Sequence, residues 1–198
     1  MRKFTAGLAI ATALTAVIAG TAGTASAAPA RAQAPAPAPT PAAAAAHHGM
    51  SLHSWTLLNE RGPGPNPASR LTARVDARTT ADGRTRGHAV VEHVFFGEGT
   101  VHAEFDVDCL TTDGGAITVT GPISSVITTP VGGPADPSPS GWHPETGLTF
   151  YPADASGEQR VGWAGADRLH PEAPARATKC GPTPASLWVV EGGAVLRR

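Results

Sequence analysis

Lysine, cysteine and tyrosine are nearly missing from this chain of 198 residues: Lys3 and Lys179 stand alone, and there are 2 Cys and 1 Tyr. Two cysteines are too few for a multi-bridge scaffold, and no Cys/His spacing of the zinc-site kind appears. There is no Gly-x-Ser-x-Gly elbow, phosphate loop or dinucleotide fingerprint, so the contiguous signals of the common hydrolase and nucleotide-binding sites are absent. The run HAVVEH (88–93) superficially matches a zinc-protease motif. Its β-branched composition and its spacing fit neither orientation of that helical motif. Basic residues form no stripe along the chain, which argues against nucleic acid as a partner. Beyond the first residues no segment is apolar enough to span a bilayer.

What is present begins with an export signal. Arg2 and Lys3 precede an apolar run from Leu8 to about Ala19, which ends at the small-x-small triplet Ala25-Ser26-Ala27. Residues 1–27 read as a signal peptide, and no cysteine lies near the cleavage point to carry a lipid. The expected product is a secreted, extracellular, soluble chain with no membrane attachment. Residues 28–48 are almost entirely Ala and Pro, a composition that stays extended and buries nothing, so they read as a disordered spacer. The pair His47-His48 closing the spacer is expected to be inert. Residues 49–198 are long enough for one domain with a core. Without Arg2 and Lys3 the chain holds 13 basic and 16 acidic side chains. Cys109 and Cys180, sent together to an oxidising compartment, are expected to form a disulfide.

Alternation with a period of two dominates the domain. Leu71, Ala73, Val75 and Ala77 alternate with Arg70, Thr72, Arg74, Asp76 and Arg78, as in a half-buried strand. Similar strand readings cover 88–96, 101–110, 117–121, 126–129, 148–154 and 159–163. The segments SLWVV and AVL, joined across Glu191-Gly192-Gly193, read as a closing hairpin. Many short strands with Gly and Pro punctuation predict an all-β fold, an antiparallel β-sandwich or barrel in a single domain.

The stretch VHAEFDVDCL (101–110) carries ionisable residues at every even position. With Gly97-Glu98-Gly99 as a three-residue hairpin loop, Ala89, Val91, His93 and Phe95 face Val107, Phe105, Ala103 and Val101 on an apolar side. On the other side His88 is expected to meet Asp108, Val90 to meet Asp106, Glu92 to meet Glu104 and Val94 to meet His102. Two facing carboxylates repel. Three arrangements relieve them: a raised carboxyl pKa as in an acid/base pair, a divalent cation held by Glu92, His102, Glu104 and Asp106, or cations from a neighbouring strand such as Arg70, Arg74 and Arg78. The third needs only residues already present, and we expect no cofactor and no catalytic residue here. His93, facing inward, is expected to be neutral and bonded to a carbonyl or hydroxyl. Trp55, Trp163 and Trp188 lie in or beside strand-like segments and read as core. Trp142 and His143 lie in the Pro/Gly-rich loop 130–146, a possible binding loop in which an exposed Trp would stack on a sugar or fill a partner's pocket.

The landmarks RGH (86–88), DVDCL (106–110), VTG (119–121), VGWAGAD (161–167) and Cys180 resemble, in their order, a loose group of small secreted bacterial proteins. Members of that group carry one disulfide in a β-domain and have no assigned activity. The resemblance covers about 70–197 and implies a single-domain β protein with paired cysteines; it carries over no catalytic residue, and the insert 130–146 has no counterpart. The function expected is therefore a secreted, non-enzymatic β-domain with a binding or extracellular structural role, a monomer whose partner is a cell-wall polysaccharide or a protein. The alternatives are an extracellular hydrolase or metal-dependent enzyme using the Glu92/Glu104 face, and a protease inhibitor presenting loop 130–146. The inhibitor reading is weakened because one disulfide, away from the loop, leaves that segment without an obvious stiffener.

Overall fold

A computed structural model describes residues 49–165 and 173–198, all strand and loop. The expected signal peptide, spacer and His47-His48 pair lie outside the described residues. The strands are β1 (Met50–Asn59), β2 (Ser69–Thr79), β3 (Thr85–Phe95), β4 (Gly99–Val107), β5 (Cys109–Asp113), β6 (Ala116–Pro130), β7 (Asp136–Pro137), β8 (Glu145–Phe150), β9 (Arg160–Ala164) and β10 (Ala185–Arg197). All pairings are antiparallel, in the order β4-β3-β2-β1-β10-β9-β8-β6, and a further pairing of β4 with β6 closes these eight strands into a barrel. The fold is thus the barrel branch of the expected sandwich or barrel. Sequence neighbours are spatial neighbours, the up-and-down arrangement. β5 continues β4 past a bend at Asp108, whose N–H bonds Thr120 O at 3.1 Å, and it pairs with the first half of β6. The second half of β6 pairs with β4, with a bulge opposite Glu104/Phe105.

The period-two pattern fills the interior. Leu52 and Leu58 from β1, Leu71, Ala73 and Val75 from β2, Ala89 and Val91 from β3, Phe105 and Val107 from β4, Val119 from β6, Leu148 from β8 and Val161 from β9 are all buried. Each of the Leu, Val and Phe side chains contributes roughly 1.5–3 kcal/mol when fully removed from water. β1 escapes the sequence pattern because two of its inward positions are polar. Ser54 and Thr56 are buried beside Leu52 and Leu58, and Thr56 Oγ1 donates to Ala73 O at 3.3 Å. The expected C-terminal hairpin is instead the single strand β10. Gly192, at φ 85°, turns no corner; the register with β1 merely slips at Val190, and the chain continues to pair as far as Arg197. A continuous ten-residue partner in β1 holds both halves straight. Residues 117–129, read as two strands, are likewise one.

The β3–β4 hairpin keeps the expected faces but shifts register by two residues. Phe95 pairs with Gly99, so the loop is Phe96-Gly97-Glu98, with Gly97 at φ 85° and Glu98 N–H bonding Phe95 O at 3.1 Å. Only glycine takes that backbone conformation cheaply, which sets the turn one residue earlier. A slip of two leaves every side chain on its face while changing every partner.

Outside the barrel, the segment 177–184 lies across β6, β8 and β9 as a strap. Cys180 bonds Cys109 across 71 residues, and Lys179 Nζ donates to Asp108 Oδ2 at 2.6 Å. Under the strap sits a threonine network: Thr183 N–H donates to Thr149 Oγ1 at 2.9 Å, Thr118 and Thr149 share a hydroxyl bond at 3.1 Å, and Cys180 N–H donates to Thr120 Oγ1 at 3.0 Å. Gly162 faces the strap so closely that a Cβ there would come within 2.2 Å of Thr183 O. The disulfide agrees with, without by itself showing, an extracellular location.

Two outcomes test the strap. The double substitution Cys109→Ser/Cys180→Ser should lower the unfolding free energy in denaturant titration by up to about 4 kcal/mol, the loop-closure value for a loop of this length. Gly162→Ala should lower it also, without touching the disulfide, because the added methyl meets backbone rather than a movable side chain.

Candidate functional site

The outer face of β1–β4 is built of cross-strand rungs. One rung runs His53–Asp76–His88–Asp106, each residue directly opposite the next. His53 Nδ1 contacts Asp76 Oδ1, and His88 Nδ1 lies 3.9 Å from Asp106 Oδ1. Further along the strands the alternation of sign continues. His88 Nε2 lies 3.4 Å and His102 Nε2 2.9 Å from the two oxygens of Glu104, His102 Nδ1 is 3.8 Å from Glu92, and Arg70 is 3.7 Å from Glu92 on its other side. Each carboxylate has a basic neighbour, and each imidazole reaches two carboxylates or one. Half-exposed pairs of this kind contribute about 0–1 kcal/mol each.

This corrects the expected facing partners. Glu92 opposes His102, Glu104 opposes Val90, and His88 opposes Asp106 rather than Asp108. The carboxylate clash never forms, because the turn sits one residue earlier. Relief comes largely from histidines on the same two strands, with Arg70 as the one guanidinium within ion-pair distance of Glu92. Among the described residues no three His, Cys, Asp or Glu side chains gather as a metal would need, the four candidates Glu92, His102, Glu104 and Asp106 included.

His93, half-buried at an inward position, stacks on Phe95 with ring centroids 3.8 Å apart, and among the described residues no carbonyl or hydroxyl bonds it as expected. Burial holds its imidazole below the ordinary histidine range, an effect the charge of Glu60 partly opposes. Trp163 points inward and packs on the core, whereas Trp55 and Trp188 face out. Trp55 is 39% exposed, and Arg160 lies 3.7 Å above the Trp188 ring. Inward parity goes to Thr56 and Leu187 instead. Trp142 is half-buried against the core, and the neighbouring His143 Nδ1–H donates to Ile123 O at 2.7 Å. The loop 131–144 is also laced to β6 through the β7 pairing and through Ser138 N–H to Val126 O at 2.7 Å. The stiffening that the sequence did not reveal is thus backbone pairing.

A broad concavity lies at the end of the barrel where β1 begins and β10 ends. This cleft of about 570 Å³ is lined by Met50, His53 and Asp76 and by four arginines, Arg78, Arg86, Arg197 and Arg198. The rung that builds it is Arg197–Ser51–Arg78–Arg86, running across β10, β1, β2 and β3. Arg78 stands directly opposite Arg86, a like-charge pair. Among the described residues none of these four guanidiniums forms an ion pair, and Arg198 reaches Thr112 Oγ1 at 3.2 Å. Sequence reading missed this site because Arg78, Arg86 and Arg197 sit 8 to over 100 positions apart and meet only through register. By contrast, the void among Val91, Val101, Phe105, Val126 and Trp163 inside the barrel measures about 50 Å³, room for little more than water.

Comparison with known proteins adds no relative: no family model, no curated protein and no solved structure matches the chain.

Glu104→Gln should be neutral to mildly destabilising, by no more than about 1 kcal/mol in chemical denaturation, because it removes the shared partner of His88 and His102. A clear gain in stability would mean that its charge is not compensated. For His93 the neutral ring is the favoured form in the fold, so the stability it supports is present above its ordinary pKa of 6.5 and lost as pH falls through and below it. The unfolding free energy should decline from pH 7 to pH 5, and His93→Phe should flatten that decline.

Proposed function

We propose that this chain is a secreted, non-enzymatic binding domain whose ligand is anionic and is taken at the arginine-lined cleft. One observation carries the reading: Arg78, Arg86 and Arg197 share a rung with no carboxylate among them, in a cleft of about 570 Å³ whose one carboxylate, Asp76, is in contact with His53. A folded chain gains nothing from opposing guanidiniums. A bound carboxylate or phosphate removes the repulsion and takes paired N–H donors from each planar head. The void among Val91, Val101, Phe105, Val126 and Trp163 is too small for such a ligand.

The other readings have less behind them. An enzyme on the Glu92/Glu104 face would work on a convex surface whose carboxylates already have basic neighbours. An inhibitor loop would lack its anchor, because Trp142 is turned onto the core.

The test is thermal unfolding with pyrophosphate or citrate. At ten times Kd, ligand binding stabilises the fold by about 1.4 kcal/mol, or roughly 3–6 °C in melting temperature. Arg78→Gln/Arg86→Gln should abolish the rise, and Arg74→Gln, on the outer face away from the cleft, should retain it. Equal rises in all three proteins would place binding elsewhere.

A further inference from the structure

We infer that the ligand at this cleft is a linear extracellular polyanion, a polysaccharide or polyol chain bearing phosphate or carboxylate groups, laid across the rung from Arg197 to Arg86. The inference rests on the anion-binding reading above and adds the length and class of the ligand.

Length follows from register. Arg197 faces Ser51, Ser51 faces Arg78, and Arg78 faces Arg86, so the three guanidiniums span four adjacent strands. At about 4.8 Å between strands the span is roughly 14 Å, several times the width of one tetrahedral anion. The track also continues past Arg86. A second concavity of about 320 Å³, lined by Arg78, Thr80, Asp82, Arg84 and Arg86, shares two arginines with the cleft. Its single carboxylate, Asp82, is engaged by Thr80 and lies 3.5 Å from Arg84 Nε. Arg78, Arg86 and Arg197 are all exposed, so a chain can enter and leave without a lid opening. The next rung inward alternates His and Asp, with Asp76 in contact with His53 and Asp106 3.9 Å from His88. The arginines are therefore concentrated on one line along the rim.

Class follows from what lines that line. No Phe, Tyr or Trp side chain borders either concavity among the described residues, and His53 is the one ring there. Single-stranded nucleic acids are held by successive bases stacked on several such rings along a basic groove, and this track offers a single imidazole at one end. Met50, Ser51 and Thr80 offer only a small apolar contact and hydroxyls, which suit a hydroxyl-rich backbone.

The experiment measures affinity of the full secreted chain for long-chain polyphosphate, polygalacturonate, their monomers phosphate and galacturonate, and a single-stranded oligonucleotide, at equal concentrations of charged groups. At least one of the first two polymers should bind tenfold or more tightly than its own monomer, and the tighter of them identifies phosphate or carboxylate as the charge read. Three arginine contacts predict a loss of roughly 20-fold between 50 and 200 mM salt. Arg78→Gln/Arg86→Gln should leave only a shallow salt dependence, while Arg74→Gln keeps the full one; an unchanged melting temperature without ligand shows that the variants fold. Polymers that bind no better than monomers overturn the inference and leave the anion-binding reading standing. Oligonucleotide binding as tight as that of the better polymer overturns it in favour of nucleic acid. Silence from every probe removes both.

Discussion

Closure of the sheet between β4 and β6 is the constraint from which the rest of this structure follows. A long strand, Ala116–Pro130, serves two sets of neighbours: β5 and β8 with its first half, β4 with its second. The partner chain must bend between these duties, and it does so at Asp108. Gly121 answers the bend, where a Cβ would come within 1.8 Å of Asp106 O. Closure removes the unpaired edges that an open sheet would offer to other chains. It also draws eight strands into a tube just wide enough for their inward side chains to fill. The interior is filled by Leu, Val, Ala and Phe with buried Thr.

The outer surface divides by rung rather than by strand. Neighbouring strands place His53, Asp76, His88 and Asp106 side by side, and sign alternates along that row. One rung nearer the rim, the same four-strand geometry gathers Arg197, Ser51, Arg78 and Arg86, and sign does not alternate. The physical chemistry of the two rows is opposite. The first places each carboxylate beside an imidazole. The second sets guanidiniums side by side with no carboxylate in the row. Folding tolerates the second row because its heads are exposed to water and salt, where like charges interact weakly.

The strap over β6, β8 and β9 shows how a covalent link and a polar network divide labour. The disulfide and the Lys179–Asp108 pair fix where the segment lands. The hydroxyls of Thr120 and Thr149 then accept from the strap's backbone N–H groups, and those of Thr118 and Thr183 bond the Thr149 hydroxyl in turn. Thr118, Thr120 and Thr149 are outward-facing by parity yet buried, which a two-fold pattern alone cannot express. Trp55 and Trp188 show the converse: large apolar residues on outward positions, one over the glycines of β10 and the other beneath Arg160.

What the linear chain determined by itself was everything carried by near-neighbour periodicity: the all-β class, the inward and outward faces of β2, β3 and β4, and the apolar set that fills the tube. Those features depend on residues two apart, and their physics is local. Which strands become neighbours, and at what register, was decided only in three dimensions. A turn displaced by one residue replaced Glu92–Glu104 by Glu92–His102, and a tolerated bulge at Val190 turned an expected hairpin into one long strand. The arginine rung lies wholly on that side of the divide. Arg78, Arg86 and Arg197 are scattered in order, and only the hydrogen-bond ladders across β10, β1, β2 and β3 bring their charges onto one line.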